Sequence, residues 1–254
     1  MNSRNRRQCS GQILVLGVLV ISILLLSTQL YIYEVGKSLE EVRSTCISDL
    51  TLAMKLGSKH TLIGSLANIS VGGESSTLLL NLERWAEFSG RMYQLGRPVL
   101  EFVPASSPPY INGSHLSWTI DGLGISSAYV DFNLSVLDLQ VDVQLAYAIN
   151  VTTTLVEKAF YLDQGSIKKV DVTCSVMNEG RPALAENITV LFQNSSSWVR
   201  ADEQDIYGIT DYGNGTYLIS FEARIEQEDV RVSAQVHDLR GIYVQANVTC
   251  TALP

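Results

Sequence analysis

The pattern of polar and apolar positions is broken first near the start of the chain. Residues 13–33 read ILVLGVLVISILLLSTQLYIY, 21 positions without a charge. At about 1.5 Å rise per residue such a helix spans about 31 Å, the thickness of a bilayer's hydrocarbon core. Arg4, Arg6 and Arg7 precede the run and Glu34 follows it. The positive-inside rule therefore places the N-terminus in the cytoplasm and everything after Tyr33 outside the cell membrane. A cleaved secretory signal has an apolar region of about 7–15 residues followed by small residues. Gln29-Leu30-Tyr31-Ile32-Tyr33 has no such site, so a retained single-pass anchor is expected.

Beyond the run the period stays helical. Val35, Leu39, Val42, Cys46, Leu50 and Ala53 recur at steps of four and three, with Lys37, Glu40, Glu41, Arg43 and Asp49 on the other side. This predicts an extracytoplasmic stem reaching about Gly57. Ser75-Ser76-Thr77 is a candidate cap for a second helix to about Gly96, with Leu78, Leu82, Trp85, Phe88 and Met92 on one side. Pro98, Pro104, Pro108 and Pro109 then punctuate the chain, and alternation at period two takes over. Val130, Phe132, Leu134 and Val136 hold one apolar phase, and Leu137, Leu139, Val141, Val143 and Leu145 the opposite one. A bulge in one bent strand and a tight corner between two strands both fit this flip. From about Gly165, short strands are predicted around 168–176, 187–193, 216–222, 229–236 and 241–251, a spacing that suits a sandwich.

The expected architecture is thus α+β and membrane-anchored. It comprises a basic leader (1–12), a transmembrane helix (13–33), a helical stem with a second helix (34–97), an antiparallel β region (98–164) and an Ig-like β-sandwich (165–254).

Composition sharpens this picture. The chain is 46% hydrophobic and 17% charged, against about 25% charged in ordinary soluble domains, which excludes intrinsic disorder. All 26 acidic residues lie beyond residue 33 with 15 of the 18 basic ones, so that part carries −11. Such a surface repels phosphate, and no nucleic-acid partner is expected. Eight of the 12 Asn residues begin Asn-x-Ser/Thr: Asn68, Asn112, Asn133, Asn150, Asn187, Asn194, Asn214 and Asn247. All eight lie on the side read as external, where N-glycosylation takes place. Asn133, Asn150, Asn187 and Asn247 fall on the polar phase of predicted strands.

Cys174 shares apolar parity with Val170 and Val172, and Cys250 with Val244, Ala246 and Val248. Both thiols are therefore expected in the core, on the first and last strands of the C-terminal unit. A disulfide between them is expected to stabilise by about 3–4 kcal/mol. Cys9 and Cys46 have no evident partner within the chain.

Catalytic patterns are absent. His60, His115 and His237 lie far apart, and there is no G-x-S-x-G, H-E-x-x-H, C-x-x-C or Walker sequence. Gly122-Leu123-Gly124 leads into a strand and not the helix a dinucleotide needs. Asp202, Glu203 and Asp205 lack the register of a calcium loop and read as a solvated loop. Trp85, Trp118 and Trp198 are expected as core anchors. The expectation is a non-enzyme with no cofactor, no metal and no small-molecule substrate.

Two stretches carry resemblances. Asp211-Tyr212-Gly213-Asn214-Gly215-Thr216-Tyr217-Leu218-Ile219-Ser220-Phe221 resembles the turn and strand of filamin-type and bacterial Ig-like surface repeats. That likeness implies a structural or binding module over about 90 residues. Arg6-Arg7-Gln8-Cys9-Ser10-Gly11-Gln12, followed at once by the apolar run, resembles archaeal type IV pilin-like precursors. This implies cleavage between Gly11 and Gln12 and a shared stem helix, although Ser10 stands where a basic residue is usual.

The leading expectation is a single-pass, glycosylated cell-surface protein with a structural or interaction role, pilin-like or tied to the envelope. Its partners would be the lipid bilayer and either further copies of itself or other envelope proteins. The alternatives are a receptor-like module that binds a protein or glycan through sandwich loops, and an anchored hydrolase or its accessory subunit. Protease added to intact cells is expected to remove the chain beyond residue 34 and leave a short anchor fragment. Survival of the full-length chain while a surface control is digested would reverse the orientation.

Overall fold

The computed structural model describes residues 4–92, 98–136, 143–163, 165, 167–227 and 229–253, without the side chains of 4–14, 38–46 and 143. The chain divides into two compact units, Met1–Lys55 and Leu56–Pro254. Helix α1 (Arg4–Ser70) supplies the first unit and the opening of the second.

α1 runs well past Gly57, where the stem was expected to end. Gly57 serves a helix contact instead: a Cβ there would lie 2.1 Å from Cζ2 of Trp85. The helix stops at Ser70, where Gly72 N–H donates to the Ile69 carbonyl and Gly73 N–H to that of Asn68. Helix α2 (Thr77–Met92) follows. Its buried side is Leu78, Leu82 and Ser89, while Phe88 and Met92 of the expected apolar side are exposed. The expected end of this helix at Gly96 lies outside the described residues.

Among the described residues thirteen strands follow: β1 (Pro98–Pro104), β2 (Ser114–Trp118), β3 (Leu123–Val136), β4 (Val143–Asp163), β5 (Lys168–Asn178), β6 (Arg181–Pro182), β7 (Ala185–Asn194), β8 (Ser197–Arg200), β9 (Tyr207–Asp211), β10 (Thr216–Ala223), β11 (Arg231–Asp238), β12 (Tyr243–Thr249) and β13 (Thr251–Ala252). Nine of them form one sheet, six along the path β1-β3-β4-β5-β10-β9 with β2 on β3, β6 on β5 and β13 on β4, and β12-β11-β7-β8 form the other. The five strands expected after Gly165 appear as β5, β7, β10, β11 and β12. The sheet that holds β5 and β10 does not stand apart from the region before it. β4 pairs with β3 from Leu123↔Val156 to Val136↔Val143, and with β5 from Thr153↔Asn178 to Asp163↔Lys168. The expected boundary near Gly165 therefore falls inside one sheet. The phase flip is a reversal between two paired strands, with its connection at 137–142 outside the described residues.

One face of β4 carries Val151, Leu155 and Ala159, all buried. Leu155 and Ala159, with Val170, Val172, Cys174, Ile219 and Phe221, pack against Val190, Phe192, Val232, Ala234, Val236, Val244 and Ala246 of the smaller sheet. The same face nearer the start of β4 meets the helices: Ser58 and Tyr147 share a hydrogen bond of 3.1 Å, and Trp85 Nε1 donates to Ser58 Oγ at 3.1 Å. Asn81 Nδ2 donates to Ser65 Oγ, and Tyr243 N–H to Ser70 Oγ. Serines on this side of α1 satisfy polar groups that burial would otherwise strand.

The two sheets are tied at both ends. At one end, Gly122 N–H donates to the Asn247 carbonyl at 2.8 Å. At the other, Ser126 Oγ donates to the Tyr243 carbonyl at 2.6 Å, and beside it the fully buried Asp238 accepts Thr153 Oγ1 at 2.9 Å and Arg240 Nε at 2.8 Å through Oδ2. Its Oδ1 takes the amides of Arg240 and Ile242. Arg240 reaches on to Glu179 Oε1 at 2.6 Å and to the Thr152 carbonyl.

The turn that carries the Ig-like resemblance behaves as its residues imply. Tyr217, Ile219 and Phe221 are buried on one side of β10. Gly215, at φ +80°, leaves no room for a Cβ beside the carbonyls of Ala183 and Val176.

Two glycines of α1 provide a test of this packing. Gly57→Ala drives a methyl into the Trp85 ring and is expected to cost about 1–3 kcal/mol. Gly64→Ala has open space around it and is expected to stabilise by about 0.5–1 kcal/mol. Urea denaturation of the two variants reads the difference in sign.

Candidate functional site

Within α1, Val15–Lys37 is a 23-residue stretch long and apolar enough to cross a membrane, and its residues are exposed throughout. A membrane anchor and a signal sequence both fit this feature. Val35 of the expected stem stripe is 40% exposed, while the side chains of Leu39, Val42 and Cys46 lie outside the described residues. Gly11 and Gln12, the residues flanking the implied cleavage, are helical, and their side chains, like that of Cys9, are also undescribed.

The sequons are spread over the second unit. Asn68, Asn112, Asn133, Asn150, Asn187 and Asn214 are exposed, and Asn194 and Asn247 half-buried. Several have their carboxamide oxygen already engaged. Asn150 Oδ1 accepts from Ser127 and Thr152, Asn214 Oδ1 from the Thr216 amide, and Asn247 Oδ1 from Gln245 Nε2.

The expected bridge between Cys174 and Cys250 is not formed. Both are buried free thiols in the same core. Cys174 stands on β5 in register with Glu157 of β4. Cys250 immediately precedes β13, which pairs with β4 at Phe160. β4 thus runs between the strand that carries Cys174 and the one that follows Cys250, and Cys250 N–H donates to the Val230 carbonyl beside the smaller sheet. Shared apolar parity is a property of one face and does not make two residues neighbours across it.

Glu157 joins these thiols and went unnoticed in the sequence. It is 2% exposed, and neither Oε1 nor Oε2 has a hydrogen-bond partner. Burial pushes its carboxyl up to about 9, opposed in part by the Ala234 main chain, so it is neutral at pH 7. Burial, and then the neighbouring Glu157, push the Cys250 thiol up to about 12 and the Cys174 thiol upward as well. A thiol so far from ionisation is a poor nucleophile. The signal for Glu157 was present, because it occupies the apolar phase of Val151, Leu155 and Ala159. Asp238 and Arg240 carried no such signal, since a hairpin turn is where charged residues ordinarily sit.

The remaining candidates also move. Trp85 is partly buried at the helix contact, but Trp118 is 37% and Trp198 47% exposed, so these two are not core anchors. Asp202 is held by Arg200 through both carboxylate oxygens, at 3.0 and 2.7 Å. Among the described residues, no three His, Cys, Asp or Glu side chains gather as metal ligands.

No protein-family model matches the chain, and no curated protein is similar enough to count as a relative.

Glu157 makes stability depend on pH. Below its ordinary value of 4.5 the carboxyl is protonated in both folded and unfolded chains, and its burial costs nothing in pH-dependent terms. Between there and about 9 the unfolded chain releases a proton that the folded one keeps. Stability therefore falls as pH rises, by up to about 1.4 kcal/mol per unit. Glu157→Gln is expected to flatten the fall between pH 5 and 8 and to melt above the wild type at pH 8. Parallel melting curves for the two proteins would show that the carboxyl is not held protonated.

Proposed function

We propose that this protein is a single-pass, N-glycosylated surface subunit that acts by assembly and not by catalysis. In this reading its N-terminus is cytoplasmic, its β-rich head lies outside the cell, and stems of neighbouring copies pack together as in pilin-like filaments. The observation that carries the reading is α1 itself. One helix contributes the apolar span Val15–Lys37 and also the side chains of Ser58 and Ser70, which hydrogen-bond Tyr147 of β4 and Tyr243 of β12. A plain anchor needs only a span and a linker. A helix that also lends side chains to the head suits a subunit whose stem and head belong to one assembling element. The acidic surface and the eight sequons favour an external position, and deeply buried, unionised thiols favour a structural role for the core.

The test combines N-terminal sequencing with particle size. The mature chain is expected to begin at Gln12 and to leave the membrane in mild detergent as multi-copy complexes. Leu39→Asp combined with Val42→Asp is expected to leave the head folded by circular dichroism and reduce the complexes to single copies. Retention of Met1 together with a monodisperse wild-type monomer would overturn assembly in favour of a receptor-like module that binds a protein or glycan.

A further inference from the structure

A groove of about 420 Å³ crosses the outside of the smaller sheet, from Asn247 and Thr249 on β12 past Arg231 on β11 to Trp198 on β8. Ile120, in the loop between β2 and β3, overhangs it and is 79% exposed. We infer that this groove is the seat of a glycan carried by Asn247, whose sugars lie across the sheet against Trp198; this rests on the reading of the chain as N-glycosylated.

Three features point to that occupant. First, the whole acceptor sequence Asn247-Val248-Thr249 lines the groove, so a sugar joined to Asn247 begins inside it and needs no encounter from solution. Second, the Asn247 carboxamide is already posed. Gln245 Nε2, itself tied to Ser233 Oγ, donates to Asn247 Oδ1 at 3.0 Å. Among the described residues Nδ2, the atom that bears the glycan, makes no hydrogen bond. Third, the groove has the chemistry of a sugar site. The indole of Trp198 offers an apolar face to the C–H side of a pyranose ring, and Ile120 offers a second apolar wall. Arg231 has no carboxylate partner among the described residues and supplies donors for sugar hydroxyl or carboxylate oxygens. From β12 to β8 is three strand spacings, about 14 Å, room for a short run of sugars. The covering also explains why a large aromatic stands exposed on a strand at the sheet edge, where a bare apolar side chain invites pairing with another chain.

The test uses the full chain isolated from its own membrane. Glycopeptide mass spectrometry is expected to find Asn247 modified. Hydroxyl-radical labelling is expected to oxidise Trp198 severalfold more slowly in the wild type than in Asn247→Gln or Thr249→Val, each of which removes the sequon. Trp118, exposed but outside the groove, is the internal reference and should label equally in all three. An unmodified Asn247 beside other occupied sequons overturns the seat and leaves the glycoprotein reading standing. Eight empty sequons overturn both. A modified Asn247 with unchanged Trp198 labelling shows a glycan that projects into solvent, and overturns the seat alone.

Discussion

The second unit depends on one strand, β4, and on the need to cover a single long face of it. Its 21 residues reach about 70 Å at full extension. Odd-numbered positions from Leu145 to Tyr161 all lie on the same side. No single element of ordinary length covers such a face, and the chain uses two. Toward the start, the end of α1 and α2 lie over Tyr147, and toward the finish the four-stranded sheet lies over Thr153, Leu155 and Ala159. The change of cover is what requires the ties. Tyr243 bonds both Ser70 of α1 and Ser126 of β3, and Asp238 bonds Thr153 of β4.

Polar burial in this core comes in two kinds. Asp238 is enclosed but fully answered, by two amides, a hydroxyl and a guanidinium. Losing one partner from such a knot costs more than the knot adds, because a charge is left buried. Glu157 is enclosed and unanswered, and it escapes that cost by keeping its proton. The first arrangement fixes how the two sheets meet. The second leaves the head best suited to conditions in which the carboxyl is protonated, and places a neutral acid between two inert thiols.

The proposed role follows from where structure and chemistry are concentrated. The core holds unreactive thiols, a protonated acid and close-packed aliphatic side chains. The surface holds the sequons, two exposed tryptophans and a surplus of negative charge. Its longest exposed apolar stretch among the described residues is the span in α1. The proposed assembly through that helix and the proposed glycan cover of the head are complementary uses of the same division.

Much of this was legible in the sequence, wherever the information is local. The uncharged run that became Val15–Lys37, the eight sequons, the second helix and the five later strands each follow from period, charge or turn chemistry within a few residues. The side to which Tyr217, Ile219 and Phe221 point was legible for the same reason. What the tertiary structure alone decided depends on which distant segments meet. Gly57 reads as a helix end until Trp85 is found over it. Gly165 reads as a domain boundary until β5 is seen to continue the sheet of β4. Cys174 and Cys250 read as a pair until β4 is found between them. Trp198 reads as core until its strand proves to be an edge. Periodicity along a chain records which face a residue occupies, but it does not record what stands opposite that face.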